Sequence, residues 1–182
     1  MRQAPDLLTT LDVDLPDFAA RHATDLAAML PDWPTVHDPE QPYITGACTL
    51  FALALRGWSR GRLALVSVYG QSFNNGSTAT LHVHTVGILP LPGGLVGVDA
   101  TGLNELRTGW YTDHNNFNTL SALTGFGRCG YLRALYVAGR SPEQELRLIA
   151  HLSDAMDAEI GDGAELFAEL PPQPVDGTKL LD

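Results

Sequence analysis

Cysteine is scarce in this chain: two in 182 residues, Cys48 and Cys129, too few for the cross-linked framework of a small secreted domain. A reducing compartment fits that usage. Positive charge is scarce as well. Eleven Lys and Arg stand against twenty-one Asp and Glu, giving a formal net charge of −10 and a pI near 4.8. A surface of that sign does not track phosphates, so nucleic acid is not expected as a partner. The Arg residues are scattered apart from Arg56, Arg60 and Arg62, which suit the negative end of a helix. No apolar run approaches the roughly eighteen residues of a membrane span, and residues 1–11 hold no apolar stretch of the secretory type. These absences predict no membrane partner and a cytoplasmic protein, or one working in a host cytosol if it is a phage or bacterial effector delivered by a non-classical route.

With 45% hydrophobic and 18% charged residues, the chain is long enough to bury one core. No repeat or linker divides it, so residues 1–182 are read as a single domain. The spacing of Phe18, His22, Leu26, Met29 and Leu30 predicts a helix over residues 16–30, with Asp14 as N-cap and Pro16 in its first turn. A proline-rich loop follows to Pro42. Residues 47–56 are apolar almost all round, which predicts a helix buried against a sheet, with Gly57 as its C-terminal cap. Strands are expected over 62–69, 78–89, 95–100 and 131–137, with turns at Asn74-Asn75-Gly76 and Pro92-Gly93. Ser141-Pro142-Glu143-Gln144 opens a last helix with capping-box spacing, reaching Ile160 and burying Leu146, Ile149, Met156 and Ile160. The core then spans 46–160, residues 1–45 form an N-terminal helix and loop, and 171–182 form a loose tail. The fold class is α+β, a cysteine-bearing helix packed on an antiparallel sheet of about four strands.

One cysteine carries the chemistry. Thr45 as N-cap would put Cys48 at the third helical position, where unpaired amides and the positive end of the dipole stabilise a thiolate. His82 and His84 follow on a strand, and Asp99 on the next. Alternation puts both histidines on one face, and a hairpin turning at Pro92-Gly93 puts His84 and Asp99 on the same side. Thiol, imidazole and carboxylate in that order are the parts a cysteine nucleophile needs, and they make the chain a candidate thiol enzyme. The other titratable residues read as structural or solvated. Cys129 reads as a core thiol, His37 and His114 as loop and turn residues, His151 as a structural residue, and Asp154, Asp157, Glu159, Asp162 and Glu165 as a solvated helix face. His82, His84 and Asp99 would also make a two-histidine, one-carboxylate metal site. No further ligand lies at an obvious spacing, so neither a metal nor a cofactor is expected.

The Gly46-x-Cys48 helix with Phe51-Ala52-x-Ala54-Leu55 inside it, the His-bearing strand and Asp99-Ala100-x-Gly102 together resemble the papain-like cysteine hydrolase superfamily in its small bacterial and phage forms. The resemblance covers residues 46–102 and is one of motif order. It implies a papain-like fold, Cys48 as nucleophile, His84 or His82 as general base with His84 favoured, Asp99 as the group orienting the imidazole, and Gln41 or Tyr43 as oxyanion donors beside the Cys48 amide. The implied activity is acyl transfer from an amide or isopeptide bond of a protein or peptide, as in a peptidase, amidase, deamidase or transglutaminase. The alternatives are a binding protein on a degenerate scaffold of this type and a metal site on the His82/His84 pair. The oligomeric state is not legible.

Overall fold

The structure, a computed structural model, describes residues 6–31, 33, 38–74, 77–105, 119–125, 142–175, 177 and 180. Seven helices, α1 (Leu7–Thr9), α2 (Leu15–Arg21), α3 (Ala23–Met29), α4 (Pro42–Thr45), α5 (Cys48–Trp58), α6 (Pro142–Glu159) and α7 (Gly163–Leu166), accompany five strands among these residues. The strands β1 (Ala64–Asn74), β2 (Ser77–Leu91), β3 (Gly94–Asp99), β4 (Gly102–Glu105) and β5 (Thr119–Gly125) form one antiparallel sheet in the order β4-β3-β2-β1-β5. The fold is therefore a mixed α+β one. The expected strand over 131–137 and Ser141 lie outside the described residues, as do Cys129, His37 and His114.

The β2–β3 hairpin turns through Pro92 and Gly93, with Leu91 paired to Gly94, as the sequence predicts. Beside it lies α5, with Leu50, Phe51, Ala54, Leu55 and Trp58 buried in one cluster with Leu63, Leu89 and Val98. Fully burying each large apolar side chain stabilises the fold by about 1.5–3 kcal/mol, so α5 is fixed by its packing, as its all-round apolar sequence requires. The helix runs through Gly57 to Trp58. Its terminating left-handed residues are Arg60 and Gly61, with φ of 53° and 78°, and Gly61 N–H closes back on the Arg56 carbonyl at 2.9 Å. Gly57 is instead a contact position, where an added Cβ would meet Ser153 Oγ of α6 at 3.0 Å.

Three further expectations are corrected. The N-terminal helix starts earlier than residue 16 and divides. Leu11, Leu15 and Phe18 continue one buried stripe, and a π-helical segment over Thr10–Asp14 joins α1 to α2, Leu15 N–H reaching the Thr10 carbonyl. Pro16 has no N–H and its ring crowds the carbonyl four residues back, which a wider turn accommodates. On α6 the buried stripe is Leu148, Leu152 and Met156, with Ile149 and Ile160 packed half-buried beside it, whereas Leu146 is 53% exposed and falls off that face. The described residues of the tail, 171–175 and 177, are tied down. Leu65 N–H donates to Val175 O at 2.8 Å and Gly177 N–H to Leu65 O at 2.9 Å, and Gln173 N–H reaches Gly61 O at 2.9 Å. Arg56 donates to the Gln173 carbonyl at 3.0 Å, to the Pro174 carbonyl at 3.3 Å and to the Leu63 carbonyl, and Arg62 Nε to Leu170 O at 2.9 Å. Prolines remove donors from this segment but leave its carbonyls available, and the arginines of the α5 end use them.

Candidate active site

Cys48 opens α5. Pro42–Thr45 form the separate turn α4, Ala47 is the N-cap, and Leu50 and Phe51 both donate to the Ala47 carbonyl, at 3.0 and 3.2 Å. Cys48 therefore occupies the first helical position rather than the third, and Thr45 is not its cap. The physical expectation survives the shift, because the Cys48 and Thr49 amides precede the first intrahelical bonds and stand at the positive end of the dipole.

Cys48 is 5% exposed. Three groups meet it: the imidazole of His84, the backbone N–H of Thr85 and the hydroxyl of Thr49, which is itself 2.9 Å from Thr85 Oγ1. Ser67 Oγ extends that hydroxyl chain at 3.4 Å from Thr85 Oγ1. His84, 2% exposed, points Nε2 at Asp99 Oδ2 across 2.9 Å, which leaves Nδ1 for the sulfur. The other oxygen of Asp99 accepts from Thr101 N–H at 2.7 Å, Thr101 Oγ1 at 2.6 Å and Asn104 Nδ2 at 3.1 Å. Cys48, His84 and Asp99 thus lie in one buried, hydrogen-bonded line.

The hairpin register explains half of this. Gly87 pairs with Val98, so Asp99 falls diagonally across the ladder from His84, within reach of an imidazole. Gly102 secures the loop that clamps the carboxylate. It holds φ of +96° and an added Cβ would lie 3.1 Å from the Leu11 carbonyl, so glycine is required there.

Burial is the largest influence on each ionisable member, and it opposes charge; the partners outweigh it in every case. Cys48 is held below its ordinary value by the charge and hydrogen bond of His84 and by the Thr85 and Thr49 donors. His84 is pushed up to about 10 by the Cys48 charge and the Asp99 hydrogen bond. Asp99 is held below the usual carboxylate range, mainly by His84 and then by Thr101. Both shifts run in the sense that favours a thiolate–imidazolium pair over the neutral one.

The remaining sequence candidates fall elsewhere. The β1–β2 register slips at Val68/Tyr69, so that His84 pairs with Val68 and His82 with Tyr69, leaving Val83 as an extra residue. A bulge of this kind interrupts the alternation on which a shared face for His82 and His84 was argued; the His82 side chain lies outside the described residues. Tyr43 is buried and its hydroxyl donates to the His22 carbonyl at 2.8 Å, which commits the donor expected for an oxyanion. Gln41 and Tyr43 line a cavity of about 730 Å³ with Pro16, Ala19, Ala100 and Thr101, and neither Cys48 nor His84 borders it.

Sequence reasoning missed Thr49, Thr85, Thr101 and Asn104. The Asp99-x-Thr101 pattern was a usable signal, since a carboxylate readily accepts from the backbone two residues on. The two threonines at the sulfur carried none, because their proximity is tertiary. Among the described residues no helix is long and apolar enough to cross a membrane. No family model, curated protein or solved structure matches the chain.

Proposed function

We propose that the protein is a thiol-dependent acyl-transfer enzyme on a papain-like scaffold, acting on an amide or isopeptide bond of a protein or peptide without a cofactor. The observation that carries this reading is the hydrogen-bonded line of thiol, imidazole and carboxylate. The lowered thiol and raised imidazole favour the charge state a nucleophilic cysteine requires. Cys48 Sγ attacks the carbonyl carbon and a C–S bond forms. The developing oxyanion is met by helix-start amides, that of Cys48 foremost. The C–N bond then breaks as the imidazolium proton of His84 passes to the departing amine, leaving a thioester. Water or an amine, deprotonated by the now neutral His84, displaces the sulfur. Asp99, held on both oxygens, fixes the ring orientation and compensates the imidazolium. Peptidase, amidase, deamidase and transglutaminase share this first half and differ in the second nucleophile.

The test is a proteome-derived peptide library with an added primary amine, incubated with the wild type and with Cys48→Ala. Mass spectrometry follows new amino termini, Gln-to-Glu conversion and amine incorporation. A product of any of the three kinds that requires Cys48 supports the reading and selects the reaction. Folded wild-type protein that yields no Cys48-dependent product refutes it and favours a binding protein on the same scaffold.

A further inference from the structure

A second titratable cluster sits away from Cys48, where α6 crosses the α2–α3 junction. His22, between α2 and α3, is stacked on Phe18 with ring centroids 4.2 Å apart. Its Nδ1 is 2.6 Å from Asp25 Oδ2, in the first turn of α3. His151, from α6, brings Nε2 to 2.8 Å from the same oxygen. One ligand atom from each of the three residues lies within 4.8 Å of the others. We infer that His22, Asp25 and His151 bind a single divalent transition-metal ion of the zinc class.

Two imidazole nitrogens converging on one carboxylate oxygen form the nitrogen-rich, mixed donor set that borderline cations select over magnesium or calcium. The present separations are those of hydrogen bonds. Around a tetrahedral ion with bonds near 2.0–2.1 Å the donors would stand about 3.3 Å apart. The His151 side chain is 44% exposed and that of Asp25 26%, so small rotations of the His151 ring and of the Asp25 carboxylate supply the difference. On binding, each imidazole nitrogen gives to solvent any proton it holds toward Asp25, and its lone pair takes the ion instead. Asp25 and His151 face solvent in part, leaving room for water to complete the coordination.

Independent support comes from the far side of His22. Its Nε2 meets Glu159 Oε1 at 2.8 Å, and Glu159 Oε2 is held by Arg21 at 3.0 Å. Metal-binding histidines almost always donate their second nitrogen to a carboxylate or carbonyl, which fixes the ring and raises its basicity. With Phe18 stacked on it and Glu159 behind it, the His22 ring is already oriented. The ion would tie α6 to α3 through ligands 126 residues apart in sequence.

The experiment uses the full chain as Cys48→Ala, which removes the thiolate as a competing ligand, titrated with Co²⁺ and then Zn²⁺. The expected result is one Co²⁺ per chain, with weak visible bands, no thiolate charge-transfer band, and displacement by Zn²⁺. His151→Ala and Asp25→Asn should each weaken binding by about tenfold or more, and Glu159→Gln by about tenfold at unchanged stoichiometry. Circular dichroism checks folding, and the half-exposed His151 provides the variant least disturbing to the core. Absence of stoichiometric binding at micromolar metal, or binding equally tight in His151→Ala and Asp25→Asn, overturns the inference.

Discussion

Replacing His84 by alanine should abolish the abnormal acidity of Cys48, and the size of the effect follows from the site. An ordinary thiol of pKa about 8.5 is only ~3% ionised at pH 7. Measured against the limit of a fully formed thiolate, that is a difference of at most roughly thirtyfold in reactive species. Low-pKa thiolates are intrinsically poorer nucleophiles, by about threefold per pKa unit, which offsets most of that factor and leaves a net loss in alkylation rate at pH 7 of about threefold against an ordinary thiol. Removing the imidazolium also leaves burial, the strongest influence on Cys48 and one that raises its pKa, with less to oppose it. The variant should therefore be labelled more slowly than a free cysteine. The assay is the second-order rate with iodoacetamide from pH 5 to 10, resolved by peptide mapping so that Cys48 is read apart from Cys129. The wild type should reach its plateau at a lower pH than the variant and hold it to the region of pH 10, where His84 loses its proton. The variant should show a rate climbing through and beyond the ordinary thiol range. Asp99→Asn, which keeps the shape and removes the charge facing Nε2, should fall between the two. Equal rates for the wild type and His84→Ala at pH 7, with both folded, would refute the reasoning.

Three other outcomes follow from the structure. The Cys48–His84 pair should give a pH-independent contribution to stability between about 6.5 and 9.0, the ordinary values of the two groups. In that window the unfolded chain holds its proton on the thiol and the folded chain on the imidazole, so no net proton is exchanged. Below it the unfolded state binds the extra proton and stability rises with pH; above it the folded state does, and stability falls by about 1.4 kcal/mol per pH unit until His84 deprotonates. Urea unfolding of the wild type against Cys48→Ala/His84→Ala at pH 6, 7.5 and 9.5 checks this, and a monotonic difference would contradict it. Gly163→Ala should destabilise by about 3 kcal/mol, the upper range for overpacking, because the new Cβ would fall 1.9 Å from the Trp58 carbonyl oxygen; a thermal midpoint unchanged from wild type would count against the α7 packing. Arg56→Ala should cost about 1–3 kcal/mol through lost charge-assisted hydrogen bonds and open the 171–177 segment to limited proteolysis, whereas an unaltered digestion pattern would mean that the arginine does not hold the tail.

The site was legible where it rests on short-range rules. His84 and Asp99 sit on one hairpin, and its turn at Pro92-Gly93 sets their relation with no knowledge of the rest of the fold. The burial of α5 was legible for the same reason, since its apolar residues leave no polar face. Helix ends were less so. Gly57 and Gly61 both lie near the end of α5, and only the approach of Ser153 from α6 distinguishes a contact glycine from a terminating one. On α6 only Leu146 was misplaced, because it satisfies the helical period but sits one position from the buried stripe of Glu145, Leu148, Leu152 and Met156. Tyr43 and Gln41 were placed by distance along the chain, whereas α4 turns Tyr43 toward the His22 carbonyl. The tail was misread because prolines advertise missing donors, and carbonyl acceptors leave no trace in a sequence pattern. Thr49 and Thr85, 36 residues apart, meet only through the docking of α5 on β2.

That docking has a consequence for the chain before it is fully folded. The imidazole and its carboxylate travel together on one hairpin, but the sulfur arrives on a different element and gains its acidity only when the two surfaces close. A nascent or partly unfolded chain therefore carries a thiol of ordinary reactivity, no more prone to oxidation or stray acylation than any other. The hazardous form of the group exists only after its surroundings have been assembled, so nucleophilicity here is a report that tertiary folding is complete.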